Sequence, residues 1–341
     1  MKSPNILLSI IAAVAMTFGL STSLVQGQGS CAGDVNGDHV VNGADLAILL
    51  GNWGQCPAVV PACAGDVNGD HVVNGADLAI LLGNWGNCAP TWATVLEWAP
   101  DAAVVTDATL RNAINASGLP WRVRDNGTNI EMLLVPGGTF MMGCSPGDAE
   151  CGSDESPAHQ VTLTNAFYMG KTEVTQAQWQ AKMGNNPSYF SGQPNNPVEQ
   201  VSWNTIQSFN SATGLRLPTE AEWEYACRAG TTTARYGELN AIAWYYQNWT
   251  YYGTQPVAGK LPNALGLYDT LGNVFEWCQD WYGPYSSGSV TNPTGPSIGS
   301  YRLIRDCGMN TDRTNCRASF RNQSQPDSSG GNVGFRVARN P

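Results

Sequence analysis

Residues 31–54, CAGDVNGDHVVNGADLAILLGNWG, recur letter for letter at 63–86, displaced by 32 positions. An identity of that length at a fixed period means that one small unit is used twice. Within each copy, oxygen-bearing side chains stand at alternate positions: Asp34, Asn36, Asp38, Asn42 and Asp45, then Asp66, Asn68, Asp70, Asn74 and Asp77. This is the spacing of a loop that wraps a hard divalent cation in oxygen through positions 1, 3, 5, 7, 9 and 12. Position 7 contributes a backbone carbonyl, here from Val40 and Val72. Three carboxylates in one loop repel each other unless a cation sits among them. The spacing therefore predicts two Ca2+ ions, one per repeat.

Each loop runs into a short apolar helix. Leu46, Leu49, Leu50 and Trp53 recur at helical spacing and form one stripe, with Gly51 and Gly54 ending the helix. Neither helix can bury its stripe alone, so the two copies are expected to pack about a pseudo-twofold axis. A core this small needs metal and disulfide support.

Ahead of the repeats, Lys2 precedes an apolar stretch from Ile6 to Leu20 and small polar residues through Ser30. That pattern reads as a signal peptide over residues 1–30, too short for a membrane span. It predicts a secreted protein, periplasmic or extracellular and not transmembrane. Ten cysteines in such a compartment favour disulfides. Cys31 and Cys56 bracket the first repeat and Cys63 and Cys88 the second, which predicts pairing within repeats. Cys144 and Cys151 are expected to pair with each other, while Cys227, Cys278, Cys307 and Cys316 allow three connectivities. The formal charge of −10 argues against a nucleic-acid partner, which needs a basic face.

The spacing predicts a module over 31–88, a junction over 89–104 containing Pro90 and Pro100, and one domain over 105–341. In that domain Asp107–Ser117 has helical periodicity, and Glu131–Met142 reads as two strands broken at Pro136-Gly137-Gly138. Thr175 and Gln178 form a capping box, Val198–Val201 reads as a strand, and a helix is expected over 204–212. The most diagnostic stretch is Arg216-Leu-Pro-Thr-Glu-Ala-Glu-Trp-Glu-Tyr-Ala226, with Thr219 and Glu222 capping a helix that Gly230 closes. Gly266-Leu-Tyr-Asp269, Gly272-Asn-Val-Phe-Glu-Trp277 and Asn332-Val-Gly-Phe-Arg336 follow.

Two resemblances follow from these motifs. The duplicated loop and Leu-rich helix resemble a dockerin, a small all-α module of EF-hand type. That implies docking onto a cohesin-like protein or another cell-surface partner. Two features depart from the pattern: His39 and His71 hold loop position 6, where Gly is usual, and Gly43-Ala44 and Gly75-Ala76 hold the recognition positions. The later motifs resemble the formylglycine-generating enzyme, or sulfatase-modifying factor, family. That implies an α+β, C-type-lectin-like fold with little regular secondary structure.

The catalytic branch of that family, by resemblance, binds copper through two cysteines separated by four residues, after an Arg-x-x-Arg-Gly-Gly-Ser strand. Soft thiolates suit Cu(I). Here the segment reads Arg302-Leu-Ile-Arg305-Asp-Cys-Gly, and its thiols, Cys307 and Cys316, are nine apart. Copper is therefore not expected. The resemblance implies a disulfide from Cys227 to Cys316, leaving Cys278 to Cys307. It also implies one calcium in the large domain, held by Asp269, Glu276 and the carbonyls of Gly272 and Val274. With three histidines in the chain, His159 alone in this domain, a zinc cluster is excluded and His159 is expected to be structural at a strand edge. The tryptophans of the motifs read as packing, and the aromatic run Trp244–Tyr252 as an exposed patch. These residues predict a secreted, calcium-binding accessory protein with a peptide or glycan ligand. The family resemblance alone implies an oxidase converting a sulfatase cysteine to formylglycine.

Overall fold

A computed structural model of the chain describes residues 32–38, 40–56, 63–83, 86–87, 89–248 and 253–341. It divides into two compact units, Met1–Thr91 and Trp92–Pro341. Among the described residues no helix is long and apolar enough to cross a membrane. The signal-peptide reading falls outside them.

The first unit contains β1 (Val40–Val41), α1 (Gly43–Gly51), β2 (Gly54–Gln55), β3 (Val72–Val73), α2 (Gly75–Gly83) and β4 (Gly86–Asn87). β1 pairs with β4 and β2 with β3, both antiparallel. Each pair thus joins a strand of one repeat to a strand of the other, which adds extended structure to the expected all-α module. Leu49 and Leu81 meet Val41 and Val73 in a small buried core, with Leu46, Leu50 and Leu78 at its margin. Trp53 lies beyond the end of α1 and is 50% exposed, so the apolar stripe stops at Leu50.

Cys56 and Cys63 are bonded to each other, with Cα atoms 5.6 Å apart. This overturns the pairing of Cys56 with Cys31 and of Cys63 with Cys88. The physical reason lies in the β2–β3 pairing: the Cys56 N–H donates to the His71 carbonyl at 3.0 Å, which holds Cys56 against the second repeat. Cys31 and Cys88 lie outside the described residues.

The second unit begins with β5 (Ala93–Glu97), α3 (Ala108–Ala116), β6 (Arg122–Asp125), β7 (Glu131–Val135) and β8 (Gly138–Met142). Next come β9 (His159–Leu163), β10 (Phe167–Gly170), α4 (Gln176–Met183), α5 (Trp203–Thr213), α6 (Glu220–Arg228) and α7 (Leu239–Ile242). The last strands are β11 (Phe275–Trp281), β12 (Val290–Thr291), β13 (Arg302–Arg305), β14 (Arg321–Ser324), β15 (Val333–Gly334) and β16 (Ala338–Arg339). They form sheets ordered β16-β10-β7-β6-β5, β14-β13-β11-β15 and β12-β9-β8. Short strands, capped helices and long loops give the expected α+β, lectin-like architecture.

The caps explain where the helices start. Asp107, Thr175, Ser202 and Thr219 each accept from an amide of the first turn, and Gln178 and Glu222 close capping boxes. Three details differ from the sequence reading. β5 lies inside the stretch read as a junction, because Val95 and Ala93 pair with Val123 and Asp125. Val198–Val201 is not a strand, since Gln200 takes φ +61°. Helix α6 ends on Ala229 in the left-handed region, one residue before Gly230.

Trp179 stacks on Phe209 with ring centroids 5.4 Å apart, and Phe335 meets both edge-on. Trp203, Trp223 and Trp277 are buried with their N–H groups hydrogen-bonded, so these rings are core.

In the small unit, Gly33 (φ +104°) and Gly65 (φ +97°) each lie where an added Cβ would come 2.8 Å from a helix backbone atom, Leu81 Cα and Leu49 Cα. Gly33→Ala and Gly65→Ala are each expected to cost about 1–3 kcal/mol, by equal amounts. The matching drop in the calorimetric transition of the two variants checks both the packing and its symmetry.

Candidate functional site

In the repeat loops, carboxylates accept backbone amides in the same order twice. Asp45 Oδ1 accepts from Val35 and Asn36 and Oδ2 from Asn42; Asp77 does the same with Val67, Asn68 and Asn74. Asp34 and Asp66 accept from Gly37 and Gly69 at 2.8 Å. Asp38 and Asp70 accept from Val40 and Val72. Burial works against the Asp77 charge, yet the amides of Asn74, Asn68 and Val67 hold its carboxyl below the usual range. The loop is lined with carboxylate and carbonyl oxygen, the donor set that calcium takes. His71 adopts φ +65° at position 6, the conformation for which Gly is usual there. Among the described residues no three Asp, Glu, His or Cys side chains converge tightly enough to grip an ion as they stand.

The expected calcium set of the large domain is arranged differently. Glu276 accepts from Arg336 Nε at 3.1 Å and Nη2 at 2.8 Å, and from Trp223 Nε1 at 2.7 Å. Arg336 also donates to the carbonyls of Gly170, Tyr268 and Asp269. Glu276 is thus half of a fully buried ion pair. Asp269 Oδ2 accepts from Ala258 while its Oδ1 is buried with no partner, and burial pushes its carboxyl up to about 6. Of the two expected carboxylates, Asp269 keeps one oxygen without a partner among the described residues, while Glu276 is engaged by Arg336 and Trp223. A calcium at the expected positions Asp269, Gly272, Val274 and Glu276 would have to share Glu276 with Arg336.

Two further carboxylates sit in the same interior. Glu173 accepts from Val274 N–H and Asn273 Nδ2, and burial, reinforced by the Asp269 and Glu276 charges, holds its carboxyl well above the usual range. Asp306, at φ +77°, accepts from Gly272 and Cys307 through Oδ1. Burial and Glu276 raise it likewise. Neither was legible as a site residue, because nothing in local spacing brings positions 173 and 306 to residue 276.

Arg305, also fully buried, spans Glu220 at 3.0 Å and Glu224 at 2.6 Å. Arg321 adds two bonds to Glu220, Arg228 binds Glu224, and Arg317 binds Glu155 through its two terminal guanidinium nitrogens. The i,i+4 recurrence of Glu220, Glu224 and Arg228 on α6 was the available signal for this lattice.

Cys307 and Cys316 are bonded to each other, Cα–Cα 5.0 Å. Cys227 and Cys278 are buried thiols, which overturns the expected Cys227–Cys316 and Cys278–Cys307 bridges. The chain between 307 and 316 folds back on itself through Thr311 N–H to the Gly308 carbonyl and a 3-10 turn at Arg313–Asn315. That brings its ends together. Cys227 instead faces the Thr270 carbonyl at 3.2 Å, and burial raises both free thiols, disfavouring thiolate. Cys144 and Cys151 are bonded as expected. His159 opens β9, buried, with Nδ1 3.1 Å from the Pro157 carbonyl. Of the aromatic run, Tyr246 is exposed, Tyr245 is buried and Trp244 lies under Lys260; Trp249–Tyr252 lie outside the described residues.

Comparison with known proteins matches residues 118–341 to the sulfatase-modifying factor enzyme 1-like domain and residues 32–84 to the dockerin type I domain. Formylglycine-generating enzyme of Streptomyces coelicolor is 30% identical over 277 residues, covering 60% of this chain and 88% of that protein. Serine/threonine-protein kinase pkn1 of Chlamydia pneumoniae is 32% identical over 239 residues, covering 62% of this chain and 38% of the kinase. Among solved structures, Treponema denticola variable protein 1 aligns at TM-score 0.57 and 30% identity, over 62% of this chain and 95% of that one.

Removing Arg336 strands the Glu276 charge. Arg336→Met is expected to destabilise the large domain by about 3–5 kcal/mol in urea melts, well beyond a surface Arg→Met control. Glu173 gives a pH dependence. Its pKa is raised by folding, so above the ordinary glutamate range the native state keeps a proton that the unfolded chain has released. Stability is therefore full below that range and falls as pH rises toward the native pKa. Glu173→Gln is expected to flatten this decline above the ordinary glutamate range in paired denaturant titrations.

Proposed function

Because the chain belongs to the sulfatase-modifying factor enzyme 1-like family and carries a dockerin type I domain ahead of that domain, we propose that it is an exported, calcium-binding accessory protein. In this reading the repeats bind two Ca2+ ions and dock the chain to a cohesin-like partner. The large domain binds a ligand rather than oxidising one. The supporting observation is the state of the sulfur. In the segment after β13, the two cysteines are nine apart and joined to each other, and the remaining described thiols, Cys227 and Cys278, are buried. The two-cysteine copper centre that the family resemblance implies needs both sulfurs ionised and in one coordination sphere. A scaffold shared with enzymes does not itself carry their chemistry.

The disulfides, the dockerin match and the apolar N-terminal stretch together favour export. The oxygen lining of the repeat loops favours calcium over softer ions. Gly43-Ala44 and Gly75-Ala76 lie on the exposed first turns of α1 and α2, so a docking partner would meet small side chains there.

A second reading, the formylglycine-generating oxidase, draws on the similarity to the Streptomyces coelicolor enzyme across most of that protein's length. Both are testable on the full chain. Oxygen uptake with a Cys-x-Pro-x-Arg peptide and added copper is expected to stay at the background of a Cys307→Ser, Cys316→Ser double variant. Copper-dependent conversion of that peptide, lost in the double variant, would establish the oxidase. Chelation of calcium is expected to lower the first thermal transition, since saturating ligand at a thousandfold excess stabilises by about 4 kcal/mol. An unchanged melt would overturn the calcium assignment.

A further inference from the structure

We propose that the cavity between the 283–296 loop and the start of α6 binds a small ligand through one ammonium group, with Asp280 as its counter-ion. The cavity is about 470 Å³ and lies in the large domain. Its polar lining includes Asp280, Glu220, His159 and Arg321, and its apolar walls come from Met142, Val290 and the prolines of the 283–296 loop.

The charge inventory singles out Asp280. Glu220 is answered by Arg305 at 3.0 Å, by Arg321 at 2.6 and 2.9 Å, and by the Tyr285 hydroxyl at 3.1 Å. Arg321 is spent in turn, because its third nitrogen donates to the Asp154 carbonyl. Asp280, 4% exposed, has no ion-pair partner among the described residues. Its Oδ2 accepts the Glu220 N–H at 2.9 Å, so it fills the anion-favouring start of α6 itself. That occupancy excludes an anionic ligand. Oδ1 lies beside the cavity-lining Gly295, where a built Cβ would come within 3.2 Å of it.

The groups around this carboxyl are Glu220 and Glu222 of α6, Cys278 of its own strand and Arg302 of β13. His159 and Tyr285 line the same cavity. Glu222 is paired with Arg216. Arg302 is held between the rings of Trp203 and Trp281, with Nη1 on the Gln279 carbonyl. Burial and the Glu220 charge push the Asp280 carboxyl up to about 7. Asp280 feels the Arg302 charge but makes no salt bridge among the described residues; this carboxylate, the apolar walls and the modest volume together describe a site for an alkylammonium. A free amine and a lysine side chain share that chemistry.

Calorimetric titration of the full chain near pH 8 tests this. The probes are n-butylammonium, its neutral counterpart 1-butanol, and Nα-acetyl-lysine amide. Butylammonium is expected to bind about tenfold more tightly than 1-butanol, and to weaken as pH falls through the Asp280 range. Asp280→Asn keeps an acceptor for the Glu220 amide and is expected to remove that tenfold preference. Thr294→Trp, on the exposed rim, leaves Asp280 in place and is expected to block both amines with an unchanged melting transition. Tighter binding of the lysine amide than of butylammonium assigns the site to a peptide side chain; the reverse assigns it to a free amine. The proposal is overturned by equal binding of 1-butanol, by a charge preference retained in Asp280→Asn, or by no saturable amine binding at millimolar concentration.

Discussion

The large domain is organised around guanidinium groups sealed from water. Arg305, Arg317 and Arg336 are almost completely buried, and each is met by carboxylates and backbone carbonyls. A fold with short strands and long loops has few extended ladders to fix its interior. Planar five-donor groups can take over that task, because one arginine ties several chain segments at once. Arg336 reaches three, at Gly170, at Tyr268–Asp269 and at Glu276. Such pairs add little net stability relative to apolar packing, but each is intolerant of losing one partner.

The same interior holds more carboxylates than Arg336 can neutralise. Glu173, Asp269, Glu276 and Asp306 are all buried, and Asp269 Oδ1 and Asp306 Oδ2 have no hydrogen-bond partner among the described residues. Burial and mutual repulsion raise the carboxyls of Glu173 and Asp306, which favours their protonated forms. Sulfur has the opposite character. The three described bridges close short loops, and the two free thiols among the described residues face the core with thiolate disfavoured. The domain keeps the family fold while its thiols are either crosslinked or shielded.

Local signals were legible where one segment carries both halves of an interaction. The capping boxes at Thr175 and Thr219, the break between β7 and β8, and the repeat loops each lie within about a dozen residues and were readable as spacing. Contacts that join distant segments were not. Glu276 pairs with Arg336 and Trp223, and Cys316 with Cys307 rather than Cys227. In the small module, bracketing suggested one disulfide per repeat, whereas strand exchange between repeats put Cys56 beside Cys63. The left-handed Gln200 interrupted a sequence with good strand propensity, which shows tertiary context overriding local preference.

The placement of β5 bears on how the chain tolerates being cut. Ala93–Glu97 is the outermost strand of the five-stranded sheet, and Val123 beneath it is fully buried. A protease that clipped the chain after Pro100 would strip away this border and leave the flank of β6 with unpaired amides and carbonyls. Such a flank is a template on which a second molecule can add its own strand. Separation of the two units therefore has to fall before Trp92 if the released domain is to keep the flank of β6 covered.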